Sequence, residues 1–290
     1  MKLNQLFKKT LFIGLLSCVI NSSIVNAESI VDQVKKSNTI RIGTGNDTPP
    51  MNFIDEKGNW TGFDVDLGNE IGKQLGVKVE LVVVNNKTRI AYLSNRKIDM
   101  TISNLSQTRG REEQIDYAEP PYLWTAKIFY ARKNEFNKIS DLAGKKIGVN
   151  QGSNAYTAAP QEIMKYSKLE PKIIAFQKNA EGILALKQGK IDVFCQDSPI
   201  IAALAGESAS EFEVVGTGFS PGLYGIGVPP NDSKWRDAVS FVLQDMIKDG
   251  SYERIYQKWF GEKGLYPMPH NARPRLPSDT FGDMAYVLPD

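Results

Sequence analysis

The stretch "LSNRKIDMTIS" (residues 93–103) returns, little altered, as "LKQGKIDVFCQ" (residues 186–196). Each copy has a leucine closing a helical pattern, a polar turn, and Lys-Ile-Asp opening an apolar strand. Short helix–turn–strand segments can recur by chance. The other reading is two similarly built α/β lobes, each with a strand delivering polar residues to a loop at its carboxyl end, where open α/β sheets bind ligands.

Working outward from the first copy, "TIRIGTG" (39–45) alternates as a strand with Ile40 and Ile42 on one face. "GFDVDLGNEIGKQLG" (62–76) has Leu67, Ile71 and Leu75 four apart on one helical face, and Gly76 is placed to end the helix in the left-handed region. Gly68 and Gly72 each weaken that helix by about 1 kcal/mol relative to alanine, which close packing on a sheet can offset. "VKVELVVV" (77–84) follows as a strand with Val77, Val79, Leu81 and Val83 alternating. Strand, helix, strand at this spacing predicts a parallel α/β sheet. Around the second copy, "LAGKKIGVNQGSNAY" (142–156) restarts the pattern with a strand, a small polar loop and a helix. Later, Trp235, Val239, Val242 and Met246 keep helical spacing, "DGSY" breaks it, and Tyr252, Ile255, Tyr256 and Trp259 resume it, which predicts core helices. Pro267, Pro269, Pro274 and Pro277 then predict an extended tail packed over one lobe.

The N-terminus reads as an export signal over residues 1–27: Lys2, Lys8 and Lys9, then "LFIGLLSCVI", then small residues at Val25 and Ala27. "LLSC" offers the competing reading of a lipid-modified Cys18. The whole chain has 35 Lys+Arg against 33 Asp+Glu; losing three lysines and no acid leaves 32 against 33, a net charge of −1. That balance gives no electrostatic case for nucleic acid. After such a cut Cys195 is the one cysteine, so no internal disulfide is expected, and we read Cys195 as a buried small apolar residue. A single histidine, His270 in the tail, argues against His-based metal sites and His-dependent nucleophilic catalysis. No metal and no cofactor is expected.

Three loops carry polar groups suited to a ligand. In "TISNLSQTRGR" (101–111), Ser103, Asn104, Ser106, Gln107 and Thr108 gather where a strand ends, beside Arg109 and Arg111. An arginine there can grip a carboxylate with two prongs. Alternatively both arginines pair with Glu112 and Glu113 on a solvated surface. "QGSNAY" (151–156) supplies a Gly-Ser-Asn turn before a helix, an anion-friendly end or an ordinary cap. "CQDSP" (195–199) puts Asp197 at a strand end, either as a helix cap or as an acceptor for an ammonium. An arginine for a carboxylate and an aspartate for an ammonium together suit an α-amino acid.

The chain resembles the periplasmic amino-acid-binding proteins that serve bacterial ABC importers. The resemblance covers residues 38–262 and rests on "GFDVDL" after Pro49-Pro50, "IDMTISNLSQTRGREEQIDYAEPPY", "LAGKKIGVNQGSNA", "GKIDVFCQDSP", "YGIGV" and "YQKWFG". "NKTRI" (86–90) and the Pro-containing tail look most like the glutamate/aspartate-binding branch. The resemblance implies an α/β two-lobe periplasmic binding protein fold with two crossing hinge strands, closing over ligand. It implies lobe 1 at 28–123 plus 223–262, lobe 2 at 124–222, and a tail at 263–290. It implies a monomer that passes an amino acid to a membrane permease, with no enzymatic activity. Arg111 matches the arginine that binds the ligand α-carboxylate, leaving Arg109 as solvated charge. Ser106 and the backbone of Asn104 and Leu105 complete that contact. Gly152, Ser153 and Asn154 face the same carboxylate, and Asp197 takes the α-ammonium. Arg89 matches an arginine holding a side-chain carboxylate in acidic-ligand binders; the competing reading is a surface helix residue. Asn46 and Thr48 fall in the first ligand-facing loop. The chain departs from its relatives in having Thr48 and Asn86 where aromatics are common, and Gly45 where some acidic-ligand binders carry lysine. Some proteins of this fold are dehydratases of cyclic carboxylic acids, for which Glu119 is the nearest general-acid candidate here.

Overall fold

The computed structural model describes residues 28–208, 210–268 and 272–274. The predicted export signal with Cys18, His270, and the tail beyond 274 lie outside the described residues.

In chain order the elements are α1 (Ile30–Ser37), β1 (Thr39–Thr44), β2 (Asp47–Thr48), β3 (Asn52–Ile54), β4 (Trp60–Thr61), α2 (Phe63–Gln74), β5 (Lys78–Val83), α3 (Arg89–Ser94), β6 (Met100–Thr101), α4 (Arg109–Glu112) and β7 (Asp116–Arg132). There follow β8 (Lys146–Asn150), α5 (Ala155–Met164), β9 (Lys172–Phe176), α6 (Asn179–Lys187), β10 (Val193–Asp197), α7 (Ser198–Ser208), β11 (Phe212–Val228), α8 (Ser233–Lys248) and α9 (Ser251–Phe260). Eight strands form one sheet in the order β5-β1-β6-β11-β7-β10-β8-β9. The first lobe pairs β1 in parallel with β5 and β6, and the second pairs β8 in parallel with β9 and β10. The two 17-residue strands β7 and β11 run antiparallel through the middle and belong to both lobes. They are the two predicted crossing strands. Their register shifts between Val215 and Phe219, Phe219 and Gly222, and Tyr224 and Ile226, so the irregularity sits where the lobes meet.

The repeated Lys-Ile-Asp has a physical cause. Asp99 Oδ2 accepts the backbone N–H of Arg41 at 2.7 Å, and Asp192 Oδ2 accepts that of Lys146 at 2.8 Å. In return the Asp99 and Asp192 amides donate to the carbonyls of Arg41 and Lys146. Each aspartate thereby pins its strand to the strand alongside. The isoleucine before it fills the next space: a Cβ on Gly43 would lie 2.4 Å from Ile98 Cδ1, and one on Gly148 would lie 2.4 Å from Ile191 Cδ1. The two lobes are built on one plan down to this glycine–isoleucine contact.

In α2, Leu67 and Ile71 are fully buried and Leu75 is partly so. Gly76 has φ +70°. Gly68 and Gly72 do face close neighbours, since a Cβ at Gly72 would lie 2.2 Å from Val79 Cγ2. The alternation predicted for β5 fails at its end: Val83 is 53% exposed, because β5 is an edge strand, while Val82 packs on a separate cluster with Val84, Leu93 and Ile98. The aromatic set of α8 and α9 lies in the first-lobe core, with Trp235, Tyr252, Tyr256 and Trp259 all buried. The described part of the tail lies against that lobe, where Tyr266 stacks on Trp259 and the Tyr256 hydroxyl accepts the Ala272 N–H at 2.8 Å. Among the described residues no helix is long and apolar enough to cross a membrane.

Candidate functional site

A narrow cavity of about 10 Å³ lies between the lobes, lined by Asn86, Arg89, Asn104, Ser106, Arg111, Ser153, Asn154, Gln196 and Asp197. Seven of the residues expected from the sequence thus come together: Arg89, Asn104, Ser106 and Arg111 from one lobe, and Ser153, Asn154 and Asp197 from the other. Asn46, Thr48, Leu105 and Gly152 do not line it. Asn46 is exposed, and its carbonyl accepts the Ile54 N–H. The Leu105 side chain is core, packed with Ile98, Ile115 and Tyr117.

Thr48 and Gly152 instead join the lobes. Asn179 Nδ2 donates to Thr48 Oγ1 at 3.3 Å. Gly152 has φ +76°, and a Cβ there would lie 3.3 Å from the Asn86 backbone, so the loop before α5 meets the first lobe at a bare backbone. The lobes are closed on each other in this structure.

Arg89 opens α3 and is 2% exposed, which corrects the reading of a surface helix residue. Its Nη1 donates to the Ser103 carbonyl at 2.6 Å, and its Nε has no hydrogen-bond partner among the described residues. Arg111 Nη1 donates to the Ser106 carbonyl at 2.6 Å, an oxygen that also accepts the Tyr117 hydroxyl at 3.2 Å. Arg109 is exposed, and Glu112 accepts from Gln107 Nε2 rather than pairing with an arginine. Burial first, then the neighbouring Arg111, pushes the Arg89 guanidinium down from its ordinary range. Burial likewise lowers Arg111. Neither has a carboxylate within ion-pair distance among the described residues. A buried and a half-buried guanidinium that repel each other beside one cavity are costly without an anion.

The loop holding these groups is braced from below. Asp64 Oδ2 accepts the Asn104 N–H and Asn52 Nδ2, both at 2.7 Å, and Oδ1 accepts the Tyr122 hydroxyl at 3.0 Å. Asn104 has φ +42°, a conformation that asparagine tolerates. Gly45 lies beside the same brace. A Cβ there would sit 2.2 Å from Asn52 Oδ1, so a lysine at this position would displace Asn52.

On the other side, Ser153 Oγ donates to the Asn150 carbonyl at 2.7 Å, and Ser153 and Asn154 stand at the amino end of α5, where the helix dipole favours an anion. Gln196 Nε2 donates to Asn179 Oδ1 at 2.7 Å, and Gln196 Oε1 accepts the Asp197 N–H at 2.9 Å. Asp197 is already partnered: Lys127, 1% exposed, forms an ion pair with its Oδ1. Sequence reading missed Gln196, Asn179 and Lys127. Gln196 stood beside a chosen residue, but Lys127 carries no local signal of its partner. Glu119 is exposed, takes Gln107 Nε2 at 3.1 Å, and does not line the cavity, so it is no buried general acid. Among the described residues no group of three His, Cys, Asp or Glu could hold a metal.

Residues 40–262 match the model of the bacterial extracellular solute-binding proteins, family 3. The chain is 25% identical over 236 residues to the L-cystine-binding protein TcyJ of Escherichia coli (strain K12), covering 81% of this chain and 87% of the relative. An ancestral arginine-binding protein bound to glutamine has a similar structure, with TM-score 0.70 and 34% identity, covering 78% of this chain and 99% of the other. An ancestral amino acid-binding protein described as a precursor of cyclohexadienyl dehydratase superposes with TM-score 0.72 and 31% identity over 80% of this chain and 99% of its own. The matched length, the two-lobe sheet and the interlobe cavity agree: the chain belongs to the family 3 bacterial extracellular solute-binding proteins, the amino-acid-binding proteins of ABC importers.

Proposed function

We propose that this protein captures a small acidic amino acid, L-glutamate or L-aspartate, between its lobes in the periplasm and passes it as a monomer to an ABC permease. The observation that carries this reading is the pair Arg89 and Arg111, one guanidinium buried and one half-buried, lining one small cavity with no carboxylate within ion-pair distance among the described residues. Arg111, the Ser106 hydroxyl and the Ser153–Asn154 turn hold the α-carboxylate. Arg89 holds the side-chain carboxylate. Asn86, Asn104 and Gln196 also offer neutral amides, which suit a neutral polar amino acid, but an uncharged side chain would leave the Arg89 charge uncompensated. The lobes divide at 123/124 in β7 and 222/223 in β11, a boundary that falls across the paired residues Leu223 and Trp124.

Titration calorimetry of ligand-stripped protein with L-glutamate, L-aspartate, L-glutamine, L-arginine and L-cystine tests the proposal. Glutamate or aspartate should bind tightest. Tighter binding of arginine than of both acidic amino acids would sink it.

A further inference from the structure

Lys127 and Asp197 face each other directly across the antiparallel pair of β7 and β10. Both side chains are shut off from water, 2% and 6% exposed, and the ammonium sits on Asp197 Oδ1. The backbone register fixes this meeting, so the pair is part of the folded sheet rather than a choice of surface rotamers. Phe219 of β11 pairs with Lys127 from its other side. Lys127 itself does not line the cavity, whereas Asp197 does.

The consequence is a change in what the cavity can read. An unpaired aspartate would demand a cation and would select a ligand with an ammonium. Here the cation is built in. Asp197 can still accept a hydrogen bond, but its charge is cancelled. The remaining charges at the cavity are Arg89 and Arg111, both positive. A ligand ammonium would enter a site already carrying the buried Arg89 and Lys127 and the half-buried Arg111 against one paired carboxylate.

We propose that Lys127 is a specificity-determining residue that substitutes for the ligand ammonium, so that the site takes small dicarboxylates whether or not they carry an α-amino group. This rests on the acidic-ligand reading above and extends its ligand class. Lys127 acts through Asp197, by removing the requirement for a cationic ligand group, and touches no ligand itself.

The test compares each acidic amino acid with the same skeleton lacking the amino group, by calorimetry on ligand-stripped protein: L-glutamate against glutarate, and L-aspartate against succinate. In the wild type the two members of a pair should differ by less than about tenfold, which is 1.4 kcal/mol. A preference for the amino acid of tenfold or more overturns the proposal. In Lys127→Met, which keeps the length of the side chain and removes its charge, the preference for the amino acid should rise by at least about tenfold. An unchanged ratio in a folded Lys127→Met overturns it, because loss of packing alone weakens both ligands alike. Should that variant not fold, the wild-type ratio decides. Tight glutamate with no detectable glutarate defeats this inference alone. Binding of neutral or basic amino acids in preference to every acidic ligand defeats the acidic reading as well.

Discussion

The amide nitrogen of Asn104 donates to Asp64 Oδ2 at 2.7 Å, so a buried carboxylate fixes the loop that faces the ligand cavity. Burial raises the Asp64 carboxyl to about 7, against the pull of hydrogen bonds from Asn52, Asn104 and Tyr122. A carboxyl harder to ionise in the folded chain than in the unfolded one favours folding at low pH. That contribution is full below the ordinary carboxylate range and is lost as pH rises through about 7. Its size is on the order of 4 kcal/mol at most. In Asp64→Asn the contribution is gone, so the stability of wild type relative to Asp64→Asn should fall between pH 4 and pH 8. Urea unfolding of both proteins across that range measures it, and a difference independent of pH would refute the assignment.

The two arginines that line the cavity and the exposed Arg109 should separate cleanly. Arg111→Ala removes two charge-assisted hydrogen bonds to a ligand carboxylate, each about 1.5–3 kcal/mol, so every amino acid should lose about a hundredfold or more in affinity. Arg89→Ala should weaken acidic ligands more than neutral ones. Arg109→Ala, at an exposed position, should stay within about threefold of wild type. Equal losses for acidic and neutral ligands in Arg89→Ala would remove its side-chain role.

The contact repeated in the two lobes predicts a repeated cost. Gly43→Ala and Gly148→Ala should each destabilise by about 1–3 kcal/mol, because the new methyl meets the Cδ1 of Ile98 or Ile191 in a packed core. Ile98→Val and Ile191→Val remove that atom. Each valine, combined with the alanine of its own lobe, should recover most of the loss in chemical denaturation. No recovery in the double variants would show that the clash lies elsewhere.

The two-lobe plan was legible in the sequence because its basis is local. Lys-Ile-Asp acts within a helix–turn–strand unit, and the aspartate reaches only the adjacent strand. The glycines of α2 were legible for the same reason. The site was partly legible, since Ser106, Arg111, Ser153 and Asp197 stand in polar loops at strand ends. Arg89 was open to a bland reading because its burial depends on the Ser103 carbonyl, which only the packed loop supplies. Lys127 could not be read at all. In "TAKIFYAR" a lysine on a strand suggests a solvated face, and its partner Asp197 lies 70 residues away, reached only through the register of β7 with β10. Thr48 and Gly152 were expected at the ligand because the family resemblance implies which loops converge. It does not show which side chains meet the ligand and which meet the other lobe.

The register shifts between β7 and β11 cancel. The pair begins at Asp116 with Val228 and ends at Arg132 with Phe212, and both strands are 17 residues long. Between those ends β11 has its surplus residues at 216–218 and 220–221, on either side of the paired Phe219, and β7 has its own at 119–122. Each lobe is therefore joined to the ladder as though it were uninterrupted, and the slack lies in two offset places, one on each strand. The arrangement works as an expansion joint. Rotation of one lobe against the other can be taken up where the strands are already unpaired, and the ladder bonds inside either lobe need not break when the trap opens.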